Sequence, residues 1–295
     1  MKGMREIRTR IRAVKSTAQI TRAMELVASS KMKKAQDSAL GSRFYAYELA
    51  DLLLALTKQI SLSSIKHPFL KAREVEHRGV LLITPDKGLC GSLNQNLTKA
   101  ALQFPKETTR FVAMGQKGVQ FLSRIRADVL GHFTCPDVIT FNQVQEVVLF
   151  LVDAYESGKI DTVEVLFPRF KNTLVQETVV RRLLPMTDFE SELERLCNWM
   201  GADKCPVNKD DRDFIIEPSA KAVLEKLPLI FLKKTLYQIL LEAKASEHSA
   251  RMVAMKGATD NAESLIQDLQ LEYNKARQAG ITQEIVEITA SQNAQ

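Results

Sequence analysis

All nine prolines of this 295-residue chain fall between Pro68 and Pro228, so the first 67 and last 67 residues contain none. Proline inside a helix costs about 3 kcal/mol, because it removes a donor and its ring clashes with the preceding turn. The proline-free ends therefore permit long helices, while the middle calls for shorter elements. The expected organisation is a helical arm at 1–60, a compact domain at 74–190, a connection at 191–217 and a second arm at 218–295.

A four-three spacing in the first arm links Ile7, Ile11, Val14, Ala18, Thr21, Glu25, Ala28, Met32, Ala35 and Ala39. In the last arm it links Met252, Met255, Thr259, Ala262, Ile266, Leu269, Tyr273, Ala276 and Gly280. This is the period of a coiled-coil seam, and its many small residues allow close approach of two helices. Arms of some 55–65 residues would run about 80–100 Å at 1.5 Å per residue. Helices that long are held by packing rather than propensity, so the two arms are expected to pair, antiparallel. A second stripe, Ile20, Met24 and Val27, lies beside the first, and one partner helix would not cover both. Residues 1–45 carry 11 basic side chains against three acidic ones, whereas residues 240–295 carry five against eight. Those opposite charges favour the pairing.

The middle alternates strand and helix. RGVLLITP (Arg78–Pro85) reads as a buried strand and DKGLCGSLNQNLTKAAL as a glycine turn entering a helix. RFVAMG (Arg110–Gly115) is the next strand, then helical KGVQFLSRI, a helix over 142–156, and strands DTVEVLFPRF and QETVVRRLLP. Such alternation indicates an α/β layer with a largely parallel sheet, its last two strands forming a hairpin.

No segment provides an active site. The turn TPDKGLCGSLN lacks the G-x-x-x-x-G-K-[ST] and G-x-G-x-x-G spacings that cradle phosphates. Cys90 at a helix start would need a base to act as nucleophile, and His67, His77, His132 and His248 lie in no motif. Cys90, Cys135, Cys197 and Cys205 are too few and too irregular for a disulfide framework, and no histidine pair at ligand spacing accompanies the close pair Cys197 and Cys205. No apolar run approaches the ~20 residues that span a bilayer, so membrane association would come through a partner. Two other classes fit parts of the chain: a stand-alone coiled-coil scaffold, and a nucleic-acid binder using the basic arm with Lys31, Lys33 and Lys34. The scarcity of aromatics beside those basic residues, and the apolar stripes, argue against nucleic acid.

The ends carry a specific likeness. Met4–Gln36, MREIRTRIRAVKSTAQITRAMELVASSKMKKAQ, and Ser249–Ile288, SARMVAMKGATDNAESLIQDLQLEYNKARQAGITQEIVEI, resemble the terminal helices of the gamma subunit of F-type ATP synthase. ITPDKGLCGSLN is similar to that family's central signature turn. The resemblance spans the chain and implies an antiparallel coiled coil joined to a central Rossmann-like α/β domain. It implies a rotor shaft within a ring of alpha and beta subunits, bound to the epsilon subunit and to the membrane ring of c subunits. It also implies one copy per complex, no cofactor, no metal, no catalytic site of its own and no nucleic acid. The bacterial form, on the cytoplasmic side of the inner membrane, fits best because no transit peptide precedes the first helix. Arg251, Arg277, Gln278 and Thr282 match positions that meet alpha and beta; Met24 matches a position beside a mobile beta loop, with Arg22 its neighbour. Phe214 and Glu217 resemble the segment resting on the membrane ring. The family's last turn continues to Gly-Ala, where this chain has Ser291-Gln292. The surroundings of Cys197 and Cys205 do not resemble the redox insertion of chloroplast relatives, so no thiol regulation is expected.

Overall fold

A computed structural model of the chain describes residues 2–59, 67–71, 73–186, 217 and 219–293. Its elements are α1 (Lys2–Gln59), β1 (Arg78–Ile83), α2 (Leu93–Ala101), β2 (Thr109–Met114) and α3 (Gln116–Arg124). β3 (Asp128–Phe133), α4 (Phe141–Glu156), β4 (Thr162–Phe170), β5 (Gln176–Leu184) and α5 (Ala220–Asn293) follow. Two compact units emerge: Met1–Ser29 with Arg251–Gln295, and Ser30–Ala250.

In the first unit α1 and α5 run antiparallel. Thr21 and Thr259 share a hydrogen bond of 2.7 Å between their hydroxyls, Arg22 meets Glu263 at 3.5 Å, and a Cβ on Gly280 would lie 3.5 Å from Met4. Burial follows the seam: Ala18, Ala28, Met255, Thr259, Ala262 and Leu269 are buried, and the seam residues between them are half-buried. Arg22 and Glu263 are 70% and 55% exposed, so this ion pair contributes little. The expected charge attraction is thus secondary to the packing of small and apolar side chains.

The second unit is built on a five-stranded sheet of order β3-β2-β1-β4-β5. β1 pairs parallel with β2 and β4, β2 parallel with β3, and β4 antiparallel with β5. RGVLLI is central because its apolar run supplies both faces. Leu81 and Ile83 join Val112, Val165 and residues of α4, α5 and the later part of α1; Val80 and Leu82 join Phe111, Leu97 of α2 and Leu122 of α3. The β4–β5 turn is fixed by Asn172, whose Oδ1 accepts the amides of Leu174 and Val175 at 3.0 and 2.8 Å.

One strand departs from the sequence reading. β3 lies at the sheet edge in a stretch, DVLGHF, that shows no alternation, and its residues are exposed or half-buried. Gly131 lets it approach α4, since a Cβ there would lie 2.8 Å from the Phe150 ring. The last helix lies within the arm expected at 218–295, although that arm is not free of proline. It runs 74 residues and passes through Pro228, flanked by buried Leu227, Phe231 and Leu232, whose packing offsets the lost hydrogen bond.

After β2, Gly115 adopts φ 102°, and a Cβ would stand 1.8 Å from the Thr84 carbonyl oxygen. The Thr84 hydroxyl donates to the Gly115 carbonyl (3.2 Å) and accepts the Gly118 amide (2.7 Å). Gly115→Ala is expected to destabilise the fold by about 2 kcal/mol or more, read as a lower urea midpoint. An unchanged midpoint would show that this turn tolerates a side chain.

Candidate functional site

The exposed surface of the paired helices carries the first candidate. Pairing covers the seam but leaves the second stripe open: Ile20 is 58% and Val27 54% exposed, with Met24 half-buried between them. Arg22 is exposed beside them. On α5, Arg277, Gln278 and Thr282 are exposed, as are Ile281, Ile285 and Val286. The Thr282 hydroxyl donates to the Gln278 main-chain carbonyl at 2.9 Å, within the helix. Arg5, Arg8, Arg10 and Arg12 are exposed too, so the basic arm presents its charge outward. Arg251 differs from this set, because only 9% of it is exposed. Glu217 is exposed; Phe214, Cys197 and Cys205 lie outside the described residues.

The glycine turn is the second candidate, and its polar groups are engaged within the fold. Asp86 accepts the Gln116 amide at 2.8 Å and the Cys135 amide at 3.2 Å. Leu89 and Gly91 take positive φ, 62° and 58°, to turn the chain into α2. Cys90 is 2% exposed, and the Asn94 side-chain amide donates to its sulfur at 3.2 Å. A buried thiol so placed is packing rather than a nucleophile. Ala250 of α5 belongs to the same packed cluster as Cys90, Leu93 and Leu166. The Ser249 hydroxyl donates to the Thr173 carbonyl at 2.7 Å, in the turn after β4. Open α/β sheets usually bind ligands beyond the carboxyl ends of their strands. Here α5 covers that place after β1 and β4.

A third feature escaped the sequence reading. Residues 243–250 of α5 are buried on every side, although they include Lys244, Ser246, Glu247, His248 and Ser249. The Lys244 ammonium donates to Glu247 and to the Cys135 carbonyl, both at 2.8 Å. Burial alone would lower the Lys244 pKa, yet it is raised by its anionic and hydrogen-bonding neighbours. Burial pushes the Cys135 thiol up to about 11, so at neutral pH Cys135 carries no charge. The group that holds Lys244 protonated is therefore the Glu247 carboxylate. Nearby, Lys31 of α1 donates to Asp137 at 2.6 Å, and that hydrogen bond holds the Asp137 carboxyl below its ordinary value. No local pattern announces these pairs, because the partners lie 106 and 109 residues apart. Among the described residues no three His, Cys, Asp or Glu gather as a metal site, and no helix is long and apolar enough to cross a membrane.

A family model described as ATP synthase matches residues 3–294. An ATP synthase gamma chain from Opitutus terrae is 47% identical over 294 residues, covering 100% of this chain and 99% of the relative. The chain belongs to the ATP synthase gamma chain family. Another gamma chain, from Cupriavidus metallidurans, is 40% identical over 302 residues, 98% of each chain. A chain in the solved Euglena gracilis mitochondrial ATP synthase, described with OSCP, F1 and the c-ring, shares the fold at TM-score 0.68 and 16% identity. That match covers 99% of this chain and 94% of the other. A chain of the Tetrahymena thermophila central stalk and c-ring gives TM-score 0.59 at 22% identity, covering 81% and 99%. These likenesses at low identity speak for the fold, and the gamma chain relatives for the family.

The Lys31–Asp137 pair makes acid stability testable. Its folded Asp137 pKa is depressed, so the contribution is present above the unfolded value, about 3.9, and is lost as pH falls through the lower folded one. The melting temperature of Asp137→Asn should lie slightly below that of the unaltered chain at pH 7. The gap should close on acidification below pH about 3.9. A gap that persists or widens there would contradict the pairing.

Proposed function

We propose that this chain is the central rotor shaft of an F-type ATP synthase, coupling ion-driven rotation of a membrane ring to nucleotide exchange and synthesis on catalytic beta subunits. The observation that carries this reading is the surface left open by helix pairing. Ile20, Met24 and Val27 form an apolar stripe next to Arg22, on a pair whose own seam is already filled. Such a stripe on an otherwise charged helix suits an enclosing partner.

Coupling requires that the shaft touch the three beta subunits unequally, since a partner with equal affinity for two states shifts neither. A two-helix shaft has no threefold symmetry, and its faces differ in chemistry: an apolar stripe on α1, Arg277, Gln278 and Thr282 on α5. Arg22, Met24, Arg277, Gln278 and Thr282 would meet the alpha/beta ring directly. Arg251, mostly covered, would offer only its edge. Glu217, with Phe214, would rest on the ring of c subunits, and the epsilon subunit would bind at the same foot. One copy would serve each complex, on the cytoplasmic face of the inner membrane, and the chemistry would belong to the beta subunits. The engaged Asp86 and buried Cys90 support a non-catalytic role.

The test is assembly and turnover. The chain should co-purify with alpha and beta subunits. Replacing Arg277, Gln278 and Thr282 together by alanine should lower ATP hydrolysis of the assembled enzyme by about threefold to tenfold, as loss of interface contacts does. Because the three are exposed, thermal unfolding of the isolated chain should hardly change. A chain that remains a monomer in the presence of alpha and beta subunits would sink the reading.

A further inference from the structure

We propose that the loop 134–140 between β3 and α4 is the junction through which the α/β unit grips both long helices. Lys31, Asp137, Lys244 and Glu247 would then be positioning residues for the transmission of rotation, a role that rests on the rotor-shaft reading above. The loop is tied on three sides. From α1, the Lys31 ammonium donates to the Asp137 carboxylate at 2.6 Å. From α5, the Lys244 ammonium donates to the Cys135 carbonyl at 2.8 Å while Glu247 holds its charge. From the sheet side, the Cys135 amide donates to Asp86, whose other oxygen accepts the first amide of α3. Cys135 and Ile139 are buried in the core beneath.

Stability alone does not account for this arrangement. Apolar side chains of similar volume often replace a buried ion pair with no loss, and sometimes with a gain. What the lysines add is direction. A helix held only by apolar contacts can turn or slide as its neighbours change rotamer, whereas an ammonium fixed to a main-chain carbonyl, as in Lys244, or to a carboxylate of the same loop, as in Lys31, resists both. Both helices are referred to one short loop, so a load that turns one within the unit is shared by the other.

The experiment uses the assembled enzyme in inverted membrane vesicles and measures ATP hydrolysis alongside ATP-driven membrane voltage, which reports either proton or sodium transport. Asp137→Asn and Lys244→Met should keep hydrolysing ATP while voltage per ATP hydrolysed falls by about threefold, the size of effect expected when a coupling network is cut. Asp137→Glu, which keeps the carboxylate, should retain the unaltered ratio. The proposal is overturned if both variants keep that ratio, or if hydrolysis and voltage fall together in proportion. Should Lys244→Met fail to fold, Asp137→Asn decides alone, because its pair is about 40% exposed and contributes little to folding. If the unaltered chain itself gives hydrolysis without voltage, the rotor reading falls and takes this proposal with it. That result is distinct from a normal starting ratio that no variant moves.

Discussion

Neither long helix can bury its apolar stripe alone, and the seam between them is narrow because much of it is alanine and threonine. Ala18 and Ala28 on one side and Thr259 and Ala262 on the other bring the backbones close, and the Thr21–Thr259 hydrogen bond satisfies the seam's hydroxyls. A polar pair in a largely apolar seam favours one register, since sliding would break the hydrogen bond between the helices and leave each hydroxyl only the carbonyl of its own helix, Ala18 for Thr21 and Met255 for Thr259. A thin seam also limits how much surface pairing can cover. Ile20 and Val27 stay outside for that reason, and the exposed apolar stripe is a by-product of the small residues that draw the helices together.

The α/β unit works on the same helices by a different means. Its sheet has the doubly wound order that elsewhere cradles a nucleotide, yet α5 covers the ends of β1 and β4, and the turn's carboxylate is spent on Gln116 and Cys135. A fold often used for ligands is used here as a socket. Among the polar side chains at 243–250, Lys244, Glu247 and Ser249 offset the cost of burial through hydrogen bonds.

Much of this was legible in the sequence, and the failures have physical causes. The four-three spacing located the buried seam residues Ala18, Ala28, Met255, Thr259, Ala262 and Leu269, because side-chain period is a property of the helix alone. The central strands were legible because a run such as RGVLLI can be buried on both faces only inside a parallel sheet. β3 was missed because an edge strand is held by one neighbour and needs no alternation, so DVLGHF carries charges and a glycine. The arm expected at 218–295 includes Pro228, and the helix runs through it because tertiary packing outweighs a local penalty. The clasp around Cys135 was invisible, as it joins residues more than a hundred positions apart by hydrogen bonds that leave no periodic trace. Arg277, Gln278 and Thr282 are singled out only by family likeness, since exposed polar residues on a helix look alike from composition.

The central claim is that the two ends form one antiparallel body whose register is set at Thr21 and Thr259. A cysteine pair placed there tests it most directly, because hydroxyls 2.7 Å apart put the two side chains in direct contact across the seam. Thr21→Cys with Thr259→Cys, oxidised in the assembled enzyme, should form an intrachain crosslink in nearly every copy while ATP-driven voltage survives, since the helices turn together. No crosslink, or a crosslink that abolishes transport while hydrolysis continues, would contradict the account.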